Sequence, residues 1–182
     1  MADLIVYQSK YGATAEYAQW VGEALRTDAV PVGSLKPMQL VHADRIIIGT
    51  PVYLGKMLMR HWIAQHQGYL RNKPVYLFVV CGTPAGDSEK TGKIVKDNIP
   101  APIRDKFRIY FLPGRVMMDK LSWMDRFLIR LAARAKKKAS GETLATGVNY
   151  VKKENLAALL GTLDRSPVGP SRRSEAGKGF LL

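Results

Sequence analysis

Four stretches of the chain are apolar at nearly every position: Leu4-Ile5-Val6-Tyr7, Arg45-Ile46-Ile47-Ile48-Gly49, Pro74-Val75-Tyr76-Leu77-Phe78-Val79-Val80 and Phe107-Arg108-Ile109-Tyr110-Phe111-Leu112. Short unbroken runs rich in β-branched and aromatic residues predict strands buried on both faces. A weaker strand is expected around Ala29–Val32. Between these runs the apolar positions switch to helical spacing. Ala15, Ala18, Val21, Gly22 and Leu25 predict a helix over Thr14–Leu25, with Thr14 as its N-terminal cap. Leu58, Trp62, Ile63 and Leu70 place another over Met57–Leu70, and a weaker one covers Ser88–Asn98. Leu156, Leu159, Leu160 and Leu163 mark a last helix over Lys153–Leu163.

Strand and helix therefore alternate, and the strands are continuous hydrophobic runs rather than alternating ones. That pattern predicts the α/β class: a parallel sheet covered by helices on both faces. Right-handed crossovers then give an open doubly wound sheet, whose ligands sit at the carboxyl ends of the strands where the order reverses. Residues 1–165 are expected to form this domain. Residues 166–182 are polar and rich in Gly and Pro, and a mobile tail is expected there.

Composition narrows the picture. A length of 182 residues suits one domain with a substantial core. The single cysteine, Cys81, excludes an internal disulfide framework and a Cys-based zinc site, and suits a reducing cytoplasm. Three scattered histidines give no metal site. No apolar stretch approaches the roughly 18–20 residues that span a bilayer, and Met1-Ala2-Asp3 has no basic region of a signal peptide. A soluble, cytoplasmic protein is expected.

Three of the strong strands end in loops suited to a ligand. The first, Gln8-Ser9-Lys10-Tyr11-Gly12-Ala13-Thr14, leads straight into a helix. Its hydroxyls, its glycine and the unpaired N–H groups of a helix start can together enclose a phosphate, with Lys10 adding charge or pointing to solvent. The same residues also compose an ordinary capped helix with a glycine turn, and the pattern alone leaves both open. Neither G-x-G-x-x-G nor G-x-x-x-x-G-K is present, which points away from dinucleotides and nucleoside triphosphates and toward a single monophosphate. The second loop, Gly49-Thr50-Pro51-Val52-Tyr53-Leu54-Gly55-Lys56, can lie along a flat aromatic ring or simply pack as core. The third, Cys81-Gly82-Thr83-Pro84-Ala85-Gly86, is small enough to let a planar ligand approach its backbone. Cys81 has no neighbouring base or cation and reads as an inert buried thiol.

Read as Ile-Val-Tyr-x-Ser-x-x-Gly-x-Thr-x-x-x-Ala-x-x-Val, residues Ile5 to Val21 resemble the FMN-phosphate signature of the flavodoxin family. The resemblance, which in element order spans about residues 3–165, implies a flavodoxin-like five-stranded parallel sheet and FMN as cofactor. It further implies that Ser9, Lys10, Tyr11, Gly12, Ala13 and Thr14 form the phosphate loop. Pro51, Val52, Tyr53, Leu54 and Gly55, with Cys81, Gly82 and Thr83, would then flank the isoalloxazine.

Two features depart from an ordinary electron-carrying flavodoxin, which is typically acidic. The net charge is +13, and residues 100–182 hold 17 Lys and Arg against 7 Asp and Glu. An uneven field of this kind points one face at something anionic. The second departure is an insertion around residues 113–142. There Ser122 and Asp125 resemble a capping box, and an amphipathic helix is expected from about Trp123 to Lys138. Arg126, Arg130, Arg134 and Lys137 form a cationic stripe opposite Met124, Phe127, Leu128, Leu131 and Ala135. Such a helix suits an anionic membrane surface, contacted through residues 115–138, and suits equally a solvated face on a helix packed on the sheet. No recognition module accompanies the charge, so nucleic acid is not an expected partner.

The insertion, with Trp123-Met124-Asp125-Arg126-Phe127 and later Ser140-Gly141-Glu142-Thr143, is similar to that of the flavodoxin-like menaquinone-dependent protoporphyrinogen IX dehydrogenases. That resemblance implies an FMN-dependent dehydrogenase of a porphyrinogen that passes electrons to a membrane quinone, peripheral on the inner face of the cell membrane. The alternatives are a non-enzymatic electron carrier, an FMN-dependent quinone reductase, for which no nicotinamide-binding feature is visible, and an FMN-free relative. Arg115, Arg126 and Arg130 are candidates for propionates or lipid phosphates, and Tyr53 is a candidate for tuning the ring. No catalytic acid or base emerges, since His61 and His66 lack a paired carboxylate and read as structural.

Overall fold

The computed structural model describes residues 2–82, 87–116 and 148–165. Strands β1 (Asp3–Tyr7), β2 (Ala29–Pro31), β3 (Arg45–Tyr53), β5 (Val75–Cys81) and β6 (Phe107–Pro113) form a parallel sheet in the order β2-β1-β3-β5-β6, and β4 (Lys56–Met57) pairs antiparallel with the end of β3. The chain winds outward from β1 to β2 and returns on the other side at β3. The order therefore reverses between β1 and β3, the doubly wound topology that the alternating pattern predicts.

The continuous apolar runs follow from burial on both faces. Leu4 and Val6, Ile46 and Ile48, and Leu77 and Val79 enter one core cluster; Ile5, Ile47, Tyr76, Phe78 and Val80 enter the other. Helix α1 (Ala13–Leu25) and the last helix, α7 (Ala157–Arg165), cover the second cluster through Tyr17, Ala18, Val21, Leu159 and Leu163. Helices α2 (Pro37–His42), α3 (Arg60–Gln65), α4 (Gln67–Leu70), α5 (Ser88–Asn98) and α6 (Ala101–Arg104) supply Leu40, Ile63, Leu70, Ile94 and Ile103 to the first.

Several elements differ from expectation for identifiable reasons. The predicted cap Thr14 is instead the second residue of α1, buried at 1% exposure, and Gly12 takes the cap position in the left-handed conformation. β3 does not stop at Gly49 but continues through Pro51, Val52 and Tyr53, so only Leu54 and Gly55 form a turn. Gly49 is demanded by packing: a Cβ there would lie 2.3 Å from the Phe78 ring. The single helix expected over Met57–Leu70 is split, because Met57 pairs in β4 and His66 leaves helical geometry at φ −102°, ψ 14°. The His66 amide and its ring Nδ1 both lie against the Trp62 carbonyl, at 3.0 and 2.8 Å. The expected Lys153–Leu163 helix opens with a 3-10 turn over Lys153–Leu156 before α7.

The expected insertion helix and the tail at 166–182 lie outside the described residues. The feet of the insertion do not. β7 (Arg115–Val116) pairs antiparallel with β8 (Val148–Asn149) as a separate two-stranded ribbon, so the two ends of the insertion meet at one place just after the carboxyl end of β6. Among the described residues, no helix is long and apolar enough to cross a membrane.

Candidate functional site

The chain leaves β1 pinned to its neighbour, the Gln8 amide donating to the Gly49 carbonyl at 3.0 Å. It then tightens, as the Gly12 amide donates to Ser9 Oγ at 3.1 Å. Gly12 sits at φ +86°, ψ −23°, a left-handed conformation that an L side chain rarely adopts, and caps α1 without any side-chain hydrogen bond. The amides of Ala13, Thr14 and Ala15 thus stand at the start of a 13-residue helix with no intrahelical acceptor and at the positive end of its dipole. A solvent-open cleft of about 430 Å³ lies alongside, between Ser9–Gly12 and Pro31–Gly33.

The second loop meets the first through aromatic rings. Tyr11 and Tyr53 pack edge to face with centroids 5.8 Å apart, and Lys10 Nζ lies 5.2 and 5.3 Å from the two centroids. Lys10 therefore bridges the two loops over their tyrosines. Beyond Tyr53 the chain reverses in two residues. Leu54 (φ +50°) and Gly55 (φ +77°) both hold positive φ, the requirement of the tight hairpin turn that matches strand twist. For a leucine this backbone is strained by about 1–3 kcal/mol, and Leu54 is also 71% exposed.

A residue that the sequence reading missed holds this turn. Asn98, buried at the end of α5, donates from Nδ2 to the Gly55 carbonyl at 2.7 Å and accepts at Oδ1 from the Met57 amide at 2.8 Å. A second Nδ2 bond, to the Ile94 carbonyl at 2.7 Å, fixes its orientation. Asn98→Leu is expected to lower stability by about 1–3 kcal/mol, because the Met57 amide loses its buried acceptor. Urea unfolding of the variant measures this; an unchanged midpoint would show that the turn holds itself.

The third loop starts beside the second, since Pro51 pairs with Val80 across β3 and β5. Cys81 is buried, as expected of an inert thiol, and its carbonyl accepts from the Gly114 amide at 3.2 Å. Gly82 is exposed, and Thr83 lies outside the described residues. Of the expected ligand residues, Ser9–Thr14, Pro51–Gly55, Cys81 and Gly82 thus gather at one edge of the sheet. Arg115, expected to meet an anionic substrate or lipid, is instead ion-paired with Glu16 on the first turn of α1. Arg126 and Arg130 lie outside the described residues. Tyr17 braces the same corner: its hydroxyl donates to the Pro113 carbonyl at 2.9 Å and accepts from Asn155 Nδ2 at 2.7 Å, and burial pushes its pKa up. The His61 ring accepts from Arg60 Nε, and the His66 ring stacks on Trp62 and lies against its carbonyl. Among the described residues no group of His, Cys, Asp or Glu is placed to hold a metal.

A left-handed glycine, a helix start without a side-chain cap and a tyrosine-bearing hairpin gather at the topological switch point, an arrangement that suits a mononucleotide. Residues 4–143 match the family model described as the flavodoxin domain, and the chain belongs to that family. FMN is its cofactor. The loop fits that cofactor: the amides of residues 13–15 suit a phosphate, and Gly12 holds the positive φ at which the turn delivers them. No curated protein matches the chain significantly. Among solved structures it is similar to a flavodoxin from the domain Archaea (18% identity, TM-score 0.42, covering 75% of this chain and 99% of that one). It is also similar to a flavodoxin, WrbA-like protein from Agrobacterium tumefaciens (19%, 0.45, 75% and 98%) and to the Trp repressor binding protein of Bacillus subtilis (13%, 0.43, 76% and 99%).

Proposed function

We propose that this flavodoxin-family protein is an FMN-dependent dehydrogenase that oxidises an apolar, anionic porphyrinogen, protoporphyrinogen IX, and delivers the electrons to a membrane quinone. FMN, when bound, supplies reversible two-electron acceptance. In this reading Ser9, Gly12, Ala13 and Thr14 hold the phosphate, while Lys10 and Tyr11 close the loop against Tyr53. Pro51–Gly55 lie along one side of the ring, and Cys81, Gly82 and Thr83 along the other. Full oxidation of one porphyrinogen removes six electrons and six protons, so three quinones are reduced to quinols.

The observation that carries the reading is where the insertion is rooted. Its β7–β8 foot stands beside the carboxyl end of β6 and against α1, at the edge where the ligand loops gather. From that foot springs a strongly basic segment, residues 117–138, with 7 Lys and Arg against 2 Asp. A cationic, amphipathic segment there suits both substrate carboxylates and an anionic bilayer that holds the quinone. Association of residues 115–138 with the inner face of the cell membrane is part of this proposal.

The test is turnover of protoporphyrinogen IX with menadione as acceptor, using FMN-loaded protein on anionic and on neutral vesicles. Turnover is expected, faster on anionic vesicles, with that advantage lost at high salt. An FMN-loaded sample with no turnover on either would remove the dehydrogenase. The second reading, an electron carrier, is favoured by the exposed Leu54–Lys56 turn, which offers a docking edge to a protein partner. Flavin that is rapidly reduced and reoxidised by redox partners, without porphyrinogen turnover, would select it.

A further inference from the structure

Arg115 is the first residue of β7, at the foot of the insertion, yet its side chain reaches back across the sheet edge to α1. Its Nη2 donates to Glu16 Oε2, and the same Nη2 lies 3.9 Å from where a Cβ on Gly12 would stand. Its Nε is buried, with no hydrogen-bond partner among the described residues. Only 18% of the side chain is exposed, so the guanidinium is held in the corner between the loop and β7 rather than in solvent. The chain has thus placed a fixed cation beside the phosphate loop, paired with a carboxylate on the first turn of α1.

The charges explain the pairing. Glu16 lies in the first turn of α1, where a carboxylate is favourable to the helix dipole but repels a phosphate dianion at the same N-terminus. Arg115 neutralises that carboxylate. Lys10, the other cation in the loop, lies over the rings of Tyr11 and Tyr53. We infer that Arg115 is a phosphate-positioning residue: paired with Glu16, it screens that carboxylate from the cofactor phosphate and holds a positive charge beside Gly12. Because Arg115 pairs with Asn149 across β7 and β8, an occupied phosphate site also fastens the foot of the insertion. The inference rests on the phosphate site proposed above.

The test measures dissociation constants for FMN and for riboflavin, which lacks the phosphate, by quenching of flavin fluorescence. Four proteins are compared: the full chain, Arg115→Met, Arg115→Lys and Glu16→Gln. Arg115→Met, which leaves the Glu16 carboxylate uncompensated beside the phosphate, is expected to weaken FMN about tenfold, while riboflavin changes less than about twofold. Arg115→Lys, which keeps the charge and loses the fork, is expected to fall between. Glu16→Gln breaks the same ion pair but removes the repelling carboxylate, so its FMN affinity should be equal to or above that of the parent. That arm separates the inference from a purely structural role, in which both partners' variants would lose FMN alike. FMN binding by Arg115→Met within twofold of the parent would overturn the inference and leave the phosphate loop standing. Equal losses of FMN and riboflavin would also overturn it. A parent chain that prefers riboflavin, or binds neither flavin, would overturn both.

Discussion

Gly12→Val is expected to reduce FMN affinity at least about 100-fold while leaving the sheet folded. Gly12 holds φ +86°, where a β-branched side chain is strongly disfavoured, so the valine chain must rebuild the turn. Rebuilding it breaks the Gly12 amide bond to Ser9 Oγ and re-aims the amides that follow at the start of α1. Each charge-assisted amide bond to a phosphate contributes about 1.5–3 kcal/mol, so losing two accounts for a factor of 100 or more. The residue is exposed and outside both core clusters, so the far-ultraviolet spectrum should be unchanged. Ser9→Ala removes one support of the turn and should cost about tenfold. Flavin fluorescence titration measures both variants, and Gly12→Val protein with parental FMN affinity would move the phosphate away from this loop.

What could be read from the sequence, and what could not, follows from the range of the interactions. The strands were visible because burial on both faces makes every position apolar, as at Ile46–Ile48 and Val75–Val80. The loop proposed for the phosphate stands out because its chemistry is local, with Ser9, Gly12 and Thr14 within six residues of one another. Gly49 misled because a glycine reads as punctuation, whereas here it makes room for the Phe78 ring from the neighbouring strand. Thr14 misled for a related reason: a hydroxyl before an apolar series reads as a cap, but Gly12 already held that position. Asn98 and the Arg115–Glu16 pair act over 41 to 99 residues of sequence, and no periodicity marks such partners. Leu54 offered one faint signal, since Leu-Gly between apolar runs fits a hairpin, although leucine is the wrong residue for its first position.

Asp3→Ala is expected to cost about 3–5 kcal/mol of stability without touching FMN affinity. At the amino ends of β1 and β3, opposite the ligand edge, Asp3 and Arg45 stand directly across from each other. Arg45 donates from Nε to Asp3 Oδ1 at 2.9 Å and from Nη2 to Oδ2 at 2.7 Å, a fork-to-fork pair. Its third donor, Nη1, reaches the Leu163 carbonyl in α7 at 2.8 Å, and its guanidinium lies 5.9 Å from the centre of the Tyr76 ring. The two side chains are only 6% and 11% exposed, so removing the carboxylate leaves a desolvated cation without its counter-charge, the costly case for a buried pair. For a domain of this size the melting temperature should fall by about 6–20 °C. Asp3→Leu combined with Arg45→Met is expected to recover most of the loss, because an apolar pair of similar volume incurs no charge burial. Thermal unfolding of the single and double variants, each with an FMN titration, separates stability from site. A single variant as stable as the parent would mean that Arg45 finds water, and a double variant as weak as the single one would locate the stabilisation in the Leu163 contact that fastens α7 to the sheet.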